Sequence, residues 1–275
     1  MNPPRQELCQ SKKPSPRKLL LWVSISRLTA VLLIFIFHFN SLFNLPTHSL
    51  GTYGLCILLF IAGYLHKRCK TYTVRWLVYR YLRIMIPFWS IFIVVIIANI
   101  VTRFKPILFP DWFLESIGLG LYARHELYSL SYFLTILLLF SLSMYSFKFL
   151  SRKITILVFF ILWYLALVKG IHLSKAFFIS FYSGVFIQYI PTTFLLNKIK
   201  SRTNGISTFI NSAQNYSYSF LLIHGIVLSF LVHFVHLDKT TTFAIALLLA
   251  MTASIPHHIF SQFIFQKTIH TLQKF

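Results

Sequence analysis

The chain is poor in acidic residues and in cysteine. Only five aspartate and glutamate residues accompany 26 lysines and arginines in 275 residues. The three cysteines are too few and too scattered for a disulfide framework, and none has the CxxC spacing of a metal site. No repeat with a period of about 20–50 residues is visible, and no polar segment is long enough to form a soluble domain. The sequence therefore argues against a disulfide scaffold, a zinc module and a solenoid.

Apolar residues dominate instead. They make up 57% of the chain, with 30 phenylalanines and a mean hydropathy of +0.71. This composition predicts an integral membrane protein. A net charge of +21 would also suit a nucleic-acid-binding protein, but the basic residues fall between apolar runs, as membrane topology requires. We therefore expect a lipid bilayer, and no nucleic acid, as a partner.

Apolar runs near the length of about 20 residues that crosses a bilayer occur eight times. They predict an all-α, polytopic membrane helix bundle with about eight transmembrane helices. The fifth span is short and has a lysine at each end. The predicted spans are 19–41, 49–65, 84–102, 127–147, 154–170, 176–196, 216–236 and 241–264.

The basic residues predict the orientation of this bundle. With the N-terminus inside, 19 lysines and arginines lie in cytoplasmic segments and six lie outside. This bias places both termini in the cytoplasm of a multi-pass protein of the inner or plasma membrane. The N-terminus is interpreted as an uncleaved signal anchor. We expect a basic cytoplasmic tail over 1–18, one transmembrane domain over 19–266 and a short cytoplasmic tail over 267–275.

The first predicted span contains Arg27 and His38, with ten residues between them. Ionisable residues inside a membrane helix mark functional sites by default. Eleven residues of helix separate the two by about 16 Å along the axis and return to within about 20° of the same direction. A long anionic molecule could therefore lie along this helix with its reactive end at His38. Alternatively, Arg27 snorkels to the inner interface and His38 is wetted at the outer one.

A second basic feature, RWLVYRYLRIMIPFW, lies at the cytoplasmic start of the third span. Arg80 and Arg83 are three residues apart and can clamp a phosphate. The neighbouring aromatic residues Trp76, Tyr79 and Tyr81 could stack on a purine. Arginines and aromatic residues at an inner interface also serve as plain topology anchors. The remaining histidines form no convincing metal site, so we expect none.

The segment 103–126 is the only long outside loop. Its apolar part FLESIGLGLYA is too short to span, and is more typical of a re-entrant or interfacial segment. It could form the lid or wall of an extracytoplasmic site.

Taken in order, these motifs resemble the acyltransferase-3 family of membrane acyltransferases. Arg27 and His38 match its first-helix R-x10-H pattern, and RYLRIMIPFW is similar to its RRLLRIxPxYW stretch. FIAGYL with Gly63, FYSGVFIQ with Gly184 and YSYSFLLIHGIVL with His224 resemble three further elements. The matches cover most of the chain. The family usually has about ten spans, and its W-S-L-x-x-E element appears here as YSLSYF over 128–133, without the tryptophan and the glutamate.

The resemblance implies transfer of a short acyl group, acetyl foremost, from cytoplasmic acyl-coenzyme A to a hydroxyl of an extracytoplasmic glycan. It implies His38 as the catalytic base and acyl-coenzyme A as a donor substrate rather than a permanently bound cofactor. Arg27, Arg80 and Arg83 would bind that donor. The acceptor, a carbohydrate or glycolipid, would contact Glu126, Tyr128 and Ser129, and glycan-assembly proteins are candidate partners.

Several alternatives stay open at this point. The acyl group could pass directly to the acceptor or through an acyl-histidine. A transporter or flippase for a glycan precursor would also use intramembrane arginine and histidine, although no inverted repeat is apparent. A non-catalytic membrane component of a polysaccharide-assembly complex is the third interpretation.

Overall fold

The computed structural model describes residues 21–66, 73–102, 109–123, 131–146, 175–187, 205–235 and 237–273. Within these ranges the chain is helical and contains no strand. A 3-10 turn, Gly120–Tyr122, and a π-helical turn, Leu231–Val235, accompany the α-helices. The α-helices are α1 (Leu21–Leu42), α2 (Leu50–His66), α3 (Val74–Thr102), α4 (Phe109–Ser116), α5 (Ser131–Ser146), α6 (Lys175–Phe186), α7 (Gly205–Phe230) and α8 (Lys239–Leu272).

Four of these helical segments are long and apolar enough to cross a membrane. They are Trp22–Leu42, Val74–Thr102, Asn215–Val235 and Lys239–Leu272, with a mean hydropathy between 1.7 and 2.6. Helices α2, α5 and α6 are apolar but shorter. The predicted all-α membrane bundle is thus supported in its coarse form. The count of eight spans and the cytoplasmic placement of both termini stay predictions, and the predicted span 154–170 lies outside the described residues.

Three helices extend beyond the predicted spans. Helix α3 begins at Val74 rather than 84, α7 begins at Gly205 rather than 216, and α8 continues to Leu272 rather than 264. Hydropathy marks the apolar part of a helix, whereas backbone hydrogen bonding continues into the adjoining polar residues. Pro87 and Pro256 lie inside α3 and α8 without ending them.

The start of α8 is fixed by a capping residue. Asp238 accepts a hydrogen bond of 3.0 Å from the backbone N–H of Thr241. Hydrogen bonds from the Thr241 side chain and backbone hold the pKa of the Asp238 carboxyl below its usual value. The cap satisfies one of the free N–H groups at the helix terminus.

Consecutive helices run in opposite directions where they pack side by side. In α1 and α2, Trp22 packs on Tyr64 with ring centroids 5.0 Å apart, while Phe37 lies against Gly51. In α7 and α8, Tyr216 packs on His258. Antiparallel neighbours of this kind are expected for successive membrane spans joined by short loops.

Helix α1 contributes to both hydrophobic clusters of the core. Ile34 belongs to the larger cluster, which is built mainly from α2, α3, α5 and α6. Phe35 belongs to the smaller one, which is built from α1, α7 and α8. Arg27 and His38 therefore lie on a helix that joins the two clusters, as α7 also does.

Helices α2 and α6 approach each other closely through two glycines. A Cβ atom on Gly63 would collide with the backbone carbonyl of Phe181, and a Cβ atom on Gly184 would collide with that of Phe60. Small residues allow membrane helices to approach this closely. The two glycines of separate sequence motifs thus meet in one contact.

Candidate active site along helix α1

Arg27 and His38 lie in one unbroken helix. Helix α1 runs from Leu21 to Leu42, so the eleven-residue separation corresponds to about 16 Å of axial rise. The predicted spacing therefore holds in the structure, and each residue marks a different level of the bundle.

His38 is half-buried and has another histidine beside it. Its ring centroid lies 5.2 Å from that of His224 in α7, with the two planes tilted by 49°. The ring of Phe37 packs against it edge to face at 5.2 Å. Among the described residues, no group forms a hydrogen bond or ion pair with His38, so its nitrogens are uncommitted there.

His224 is fully buried, with 0% of its surface exposed. Its Nδ1 lies 3.1 Å from the carbonyl oxygen of Phe220. Because a carbonyl can only accept, Nδ1 carries the proton and Nε2 presents a lone pair. That Nε2 is buried and has no hydrogen-bond partner among the described residues. An unsatisfied buried nitrogen costs about 1–3 kcal/mol, so its presence calls for an explanation.

A small cavity opens beside His38. Its volume is about 70 Å³, and it is lined by Ile34, Phe37, His38, Gly51, Thr52, Leu55 and Tyr132. A single water needs about 10–15 Å³ of such space, so the cavity can hold several waters or a group of acetyl size. Among its described lining residues, His38 alone can take up a proton near neutral pH.

Four helices converge near Arg27, at the other end of α1 from His38. Arg27 of α1 lies within Coulombic range of Arg83 of α3, and Arg83 lies within the same range of His258 of α8. The ring of His258 contacts Tyr216 of α7, with centroids 5.2 Å apart. We call these four residues the cationic cluster.

The cationic cluster has no counter-charge in the described part of the chain. Neither Arg27 nor Arg83 forms a hydrogen bond or ion pair with a described residue. Arg83 is exposed and Arg27 is half-buried. Like charges brought together in a partly buried setting repel one another and favour binding of an anion.

Arg80 has a different environment from Arg83. Its Nε donates a hydrogen bond of 2.6 Å to Ser141 of α5, and its guanidinium lies 5.8 Å from the centroid of the Trp76 ring. The arginine is therefore engaged in joining α3 to α5. The structure brings Arg27 and Arg83 together, and it directs Arg80 to a separate contact.

A half-buried histidine, His257, joins α3 to α8. Nε2 of His257 lies 2.8 Å from the Ser90 hydroxyl and 3.1 Å from the carbonyl oxygen of Pro87. The same carbonyl accepts the Ser90 hydroxyl at 2.8 Å. Because the Pro87 carbonyl accepts from both groups, we interpret His257 as a link between the two helices.

The described part of the segment 103–126 folds back along α3. The hydroxyl of Tyr81 donates to the carbonyl of Ile117 at 3.3 Å, and the indole N–H of Trp89 donates to that of Ser116 at 2.6 Å. These hydrogen bonds hold the segment against α3, and its re-entrant or interfacial character stays a prediction. The predicted acceptor residues Glu126, Tyr128 and Ser129 lie outside the described residues.

No group of three or more metal-binding side chains occurs within the described ranges. Sequence reasoning missed Thr52, Tyr132 and His258, and it placed His224 in a family motif without deciding between packing and catalysis. A histidine in the middle of an apolar helix is the one signal that marks His224. The others are ordinary residues that only the packing of separate helices brings to the site.

No protein-family model, curated protein or solved structure matches this chain. The choice of function therefore depends on the geometry around α1 and on the motifs in the sequence.

Proposed function

We propose that the protein is a membrane O-acyltransferase. It would move a short acyl group, acetyl foremost, from cytoplasmic acyl-coenzyme A to a hydroxyl of an extracytoplasmic glycan. One observation carries the proposal: helix α1 holds Arg27, a member of a cationic cluster without a counter-charge among the described residues, at one level and His38, which lines a cavity, at another. An anion with a remote reactive end matches both levels.

The donor fits the cationic cluster by charge. Coenzyme A carries its phosphates at the nucleotide end, where Arg27 and Arg83 can bind them bidentately. His258 and Tyr216 border the same place and add a donor and an aromatic face. The pantetheine arm then extends along α1 across the axial rise of about 16 Å between Arg27 and His38.

The cavity beside His38 suits the thioester. The acceptor hydroxyl oxygen attacks the acyl carbonyl carbon, and His38 takes the hydroxyl proton as a general base. The carbon–sulfur bond breaks, and the thiolate of coenzyme A receives that proton. Thr52 and Tyr132 line the cavity and offer hydroxyl groups near the reacting atoms.

The acceptor side is proposed from the sequence. Glu126, Tyr128 and Ser129 precede α5, whose first turn brings Tyr132 to the cavity. A glycan hydroxyl presented from the outer side would meet His38 from this direction. The protein would act as a multi-pass component of the inner or plasma membrane beside glycan-assembly proteins.

Radiolabelled acetyl-coenzyme A tests the proposal directly. Purified protein is reconstituted in proteoliposomes that enclose the glycan acceptor. Labelled donor is added outside the vesicles, and the label on the enclosed glycan is counted. Wild type is expected to label the glycan, whereas His38→Ala is expected to lose labelling with membrane insertion intact. His270→Ala is the matched control, because this histidine is exposed in the last turn of α8.

Each alternative predicts another result. A flippase moves unlabelled glycan across the bilayer and transfers no label from coenzyme A. A non-catalytic component transfers none and tolerates His38→Ala in the assembled complex. Near-normal labelling by purified His38→Ala would overturn the role of His38 as the base.

A further inference from the structure

The pair formed by His38 and His224 differs from ordinary core packing. His224 is buried on all sides, and its ring stacks on Phe220 with an interplanar angle of 9° and centroids 5.8 Å apart. Phe35 also packs against it at 6.1 Å. A phenyl ring would fill this aromatic surrounding without leaving a polar atom unpaired. The imidazole therefore needs a reason beyond shape.

The hydrogen-bonding capacity of His224 points to His38. Nδ1–H is used by the Phe220 carbonyl, so Nε2 can only accept. Among the described residues, His38 is the one hydrogen-bond donor whose ring packs against it, at 5.2 Å between centroids. A hydrogen bond spans about 3 Å, and the nitrogens lie on the rims of the rings, so rotation of the half-buried His38 ring can close the bond.

A general base needs this kind of partner. A neutral imidazole has one N–H and one bare nitrogen, and only the bare nitrogen can take a proton. A partner that accepts the N–H selects the tautomer and turns the bare nitrogen to the opposite side. His38 contacts both His224 and the cavity, whereas His224 does not line the cavity.

We infer that His224 is a positioning residue for His38: its Nε2 accepts the His38 N–H and keeps the other His38 nitrogen bare toward the cavity. The inference rests on the proposed function, because it assigns a partner to the proposed base. His224 acts through His38 and touches no substrate.

Nitrogen NMR of the ¹⁵N-histidine-labelled protein in nanodiscs tests the pairing without any enzymatic assay. The His38 signals are assigned by their loss in His38→Ala. Wild type is expected to show one neutral His38 tautomer and a coupling between the two nitrogens that share the proton. A wild-type His38 with mixed tautomers and no coupling to His224 would overturn the inference.

Two variants separate positioning from packing. His224→Phe keeps an aromatic ring and removes the acceptor, so we expect mixed His38 tautomers and a fall in kcat of about ten- to a hundredfold, as for other partners that orient a histidine. His224→Gln restores an acceptor oxygen and is expected to recover the single tautomer and much of kcat. The KM for acetyl-coenzyme A is expected to stay near that of wild type in both.

The outcomes for positioning and for function are separable. If the tautomer responds to His224→Phe but no variant or wild type transfers acetyl, the pairing holds and the proposed function fails. If acetyl transfer occurs and His224→Phe leaves the tautomer and kcat unchanged, the pairing fails and the function stands. A loss in both variants with an unchanged tautomer would reduce His224 to a packing residue.

Discussion

The two ends of the site along α1 differ in charge, burial and hydrogen bonding. At one end Arg27 lies within Coulombic range of Arg83, and Arg83 lies within the same range of His258; Arg83 is exposed, and no described carboxylate lies beside the arginines. At the other end His38 meets a fully buried His224 and a cavity lined mostly by apolar groups. Charge is concentrated at the first end and largely absent from the second.

In the proposed function, this difference separates donor binding from proton transfer. The arginines of the cationic cluster bind phosphate strongly but stay protonated, so they cannot take up a proton from a hydroxyl. A histidine in an apolar cavity can take the proton but offers little affinity for a polyanion. Separating the two by eleven residues of one helix allows each environment to suit its own task. Mutations at the cationic end should therefore act on binding, and mutations at the histidine end on kcat.

The largest effect on binding is expected from Arg27→Ala. Charge-assisted hydrogen bonds contribute about 1.5–3 kcal/mol each, so loss of this guanidinium should raise the KM for acetyl-coenzyme A about a hundredfold. Arg27→Lys should recover only part of the affinity, because a point charge does not replace a planar fork. Initial rates over a range of donor concentrations give KM and kcat separately. An unchanged KM in Arg27→Ala would show that the donor does not bind at this end of the helix.

A smaller and more selective effect is expected at Arg83, for which Arg80 is the matched control. Arg83→Ala should weaken the binding of acetyl-coenzyme A about tenfold. It should leave the binding of an acetyl-pantetheine donor, which lacks the nucleotide, nearly unaffected. Arg80 is occupied with Ser141 and Trp76. Arg80→Ala should therefore change kcat/KM for both donors to the same extent, because it weakens the packing of α3 on α5.

The ratio of kcat/KM for the two donors decides between these roles. Equal losses with both donors in Arg83→Ala would make Arg83 a topology anchor. A selective loss with acetyl-coenzyme A in Arg80→Ala would show instead that Arg80 leaves Ser141 to bind phosphate.

The sequence predicted the features that depend on one helix. The apolar runs gave the membrane class, and the spacing of Arg27 and His38 within α1 follows from helical geometry alone. The glycines Gly63 and Gly184 were identified as motif members, although their mutual contact was not foreseen. Local periodicity is enough for features of this kind.

Contacts between helices could not be predicted in this way. His224 and His258 are distant in sequence from the residues they approach, and no local pattern specifies which face of α7 or α8 meets α1 and α3. Arg80 and Arg83 look equivalent in the sequence because they are three residues apart. Only the position of Ser141 on α5 distinguishes them.

The smallest effect on chemistry, and a test of how the cavity is held, is expected from Gly63→Ala. Helix α2 supplies Gly51, Thr52 and Leu55 to the cavity, and its contact with α6 depends on the absence of a Cβ at Gly63. Overpacking of a tight contact costs about 1–3 kcal/mol. In a chain of this size each kcal/mol lowers the unfolding midpoint by about 2–4 °C.

Gly225→Ala supplies the matched control, because a Cβ at that position of α7 meets nothing within 4 Å. Removing a glycine from a helix interior favours folding by about 0.5–1 kcal/mol, so this variant should unfold at the wild-type temperature or slightly above it. Thermal unfolding in detergent compares the two. Gly63→Ala displaces the cavity wall that α2 forms, whereas the cationic cluster is built from α1, α3, α7 and α8. Gly63→Ala should therefore lower kcat a few-fold and leave the KM for the donor unchanged. A higher KM with an unchanged kcat would mean that α2 supports the cationic end instead.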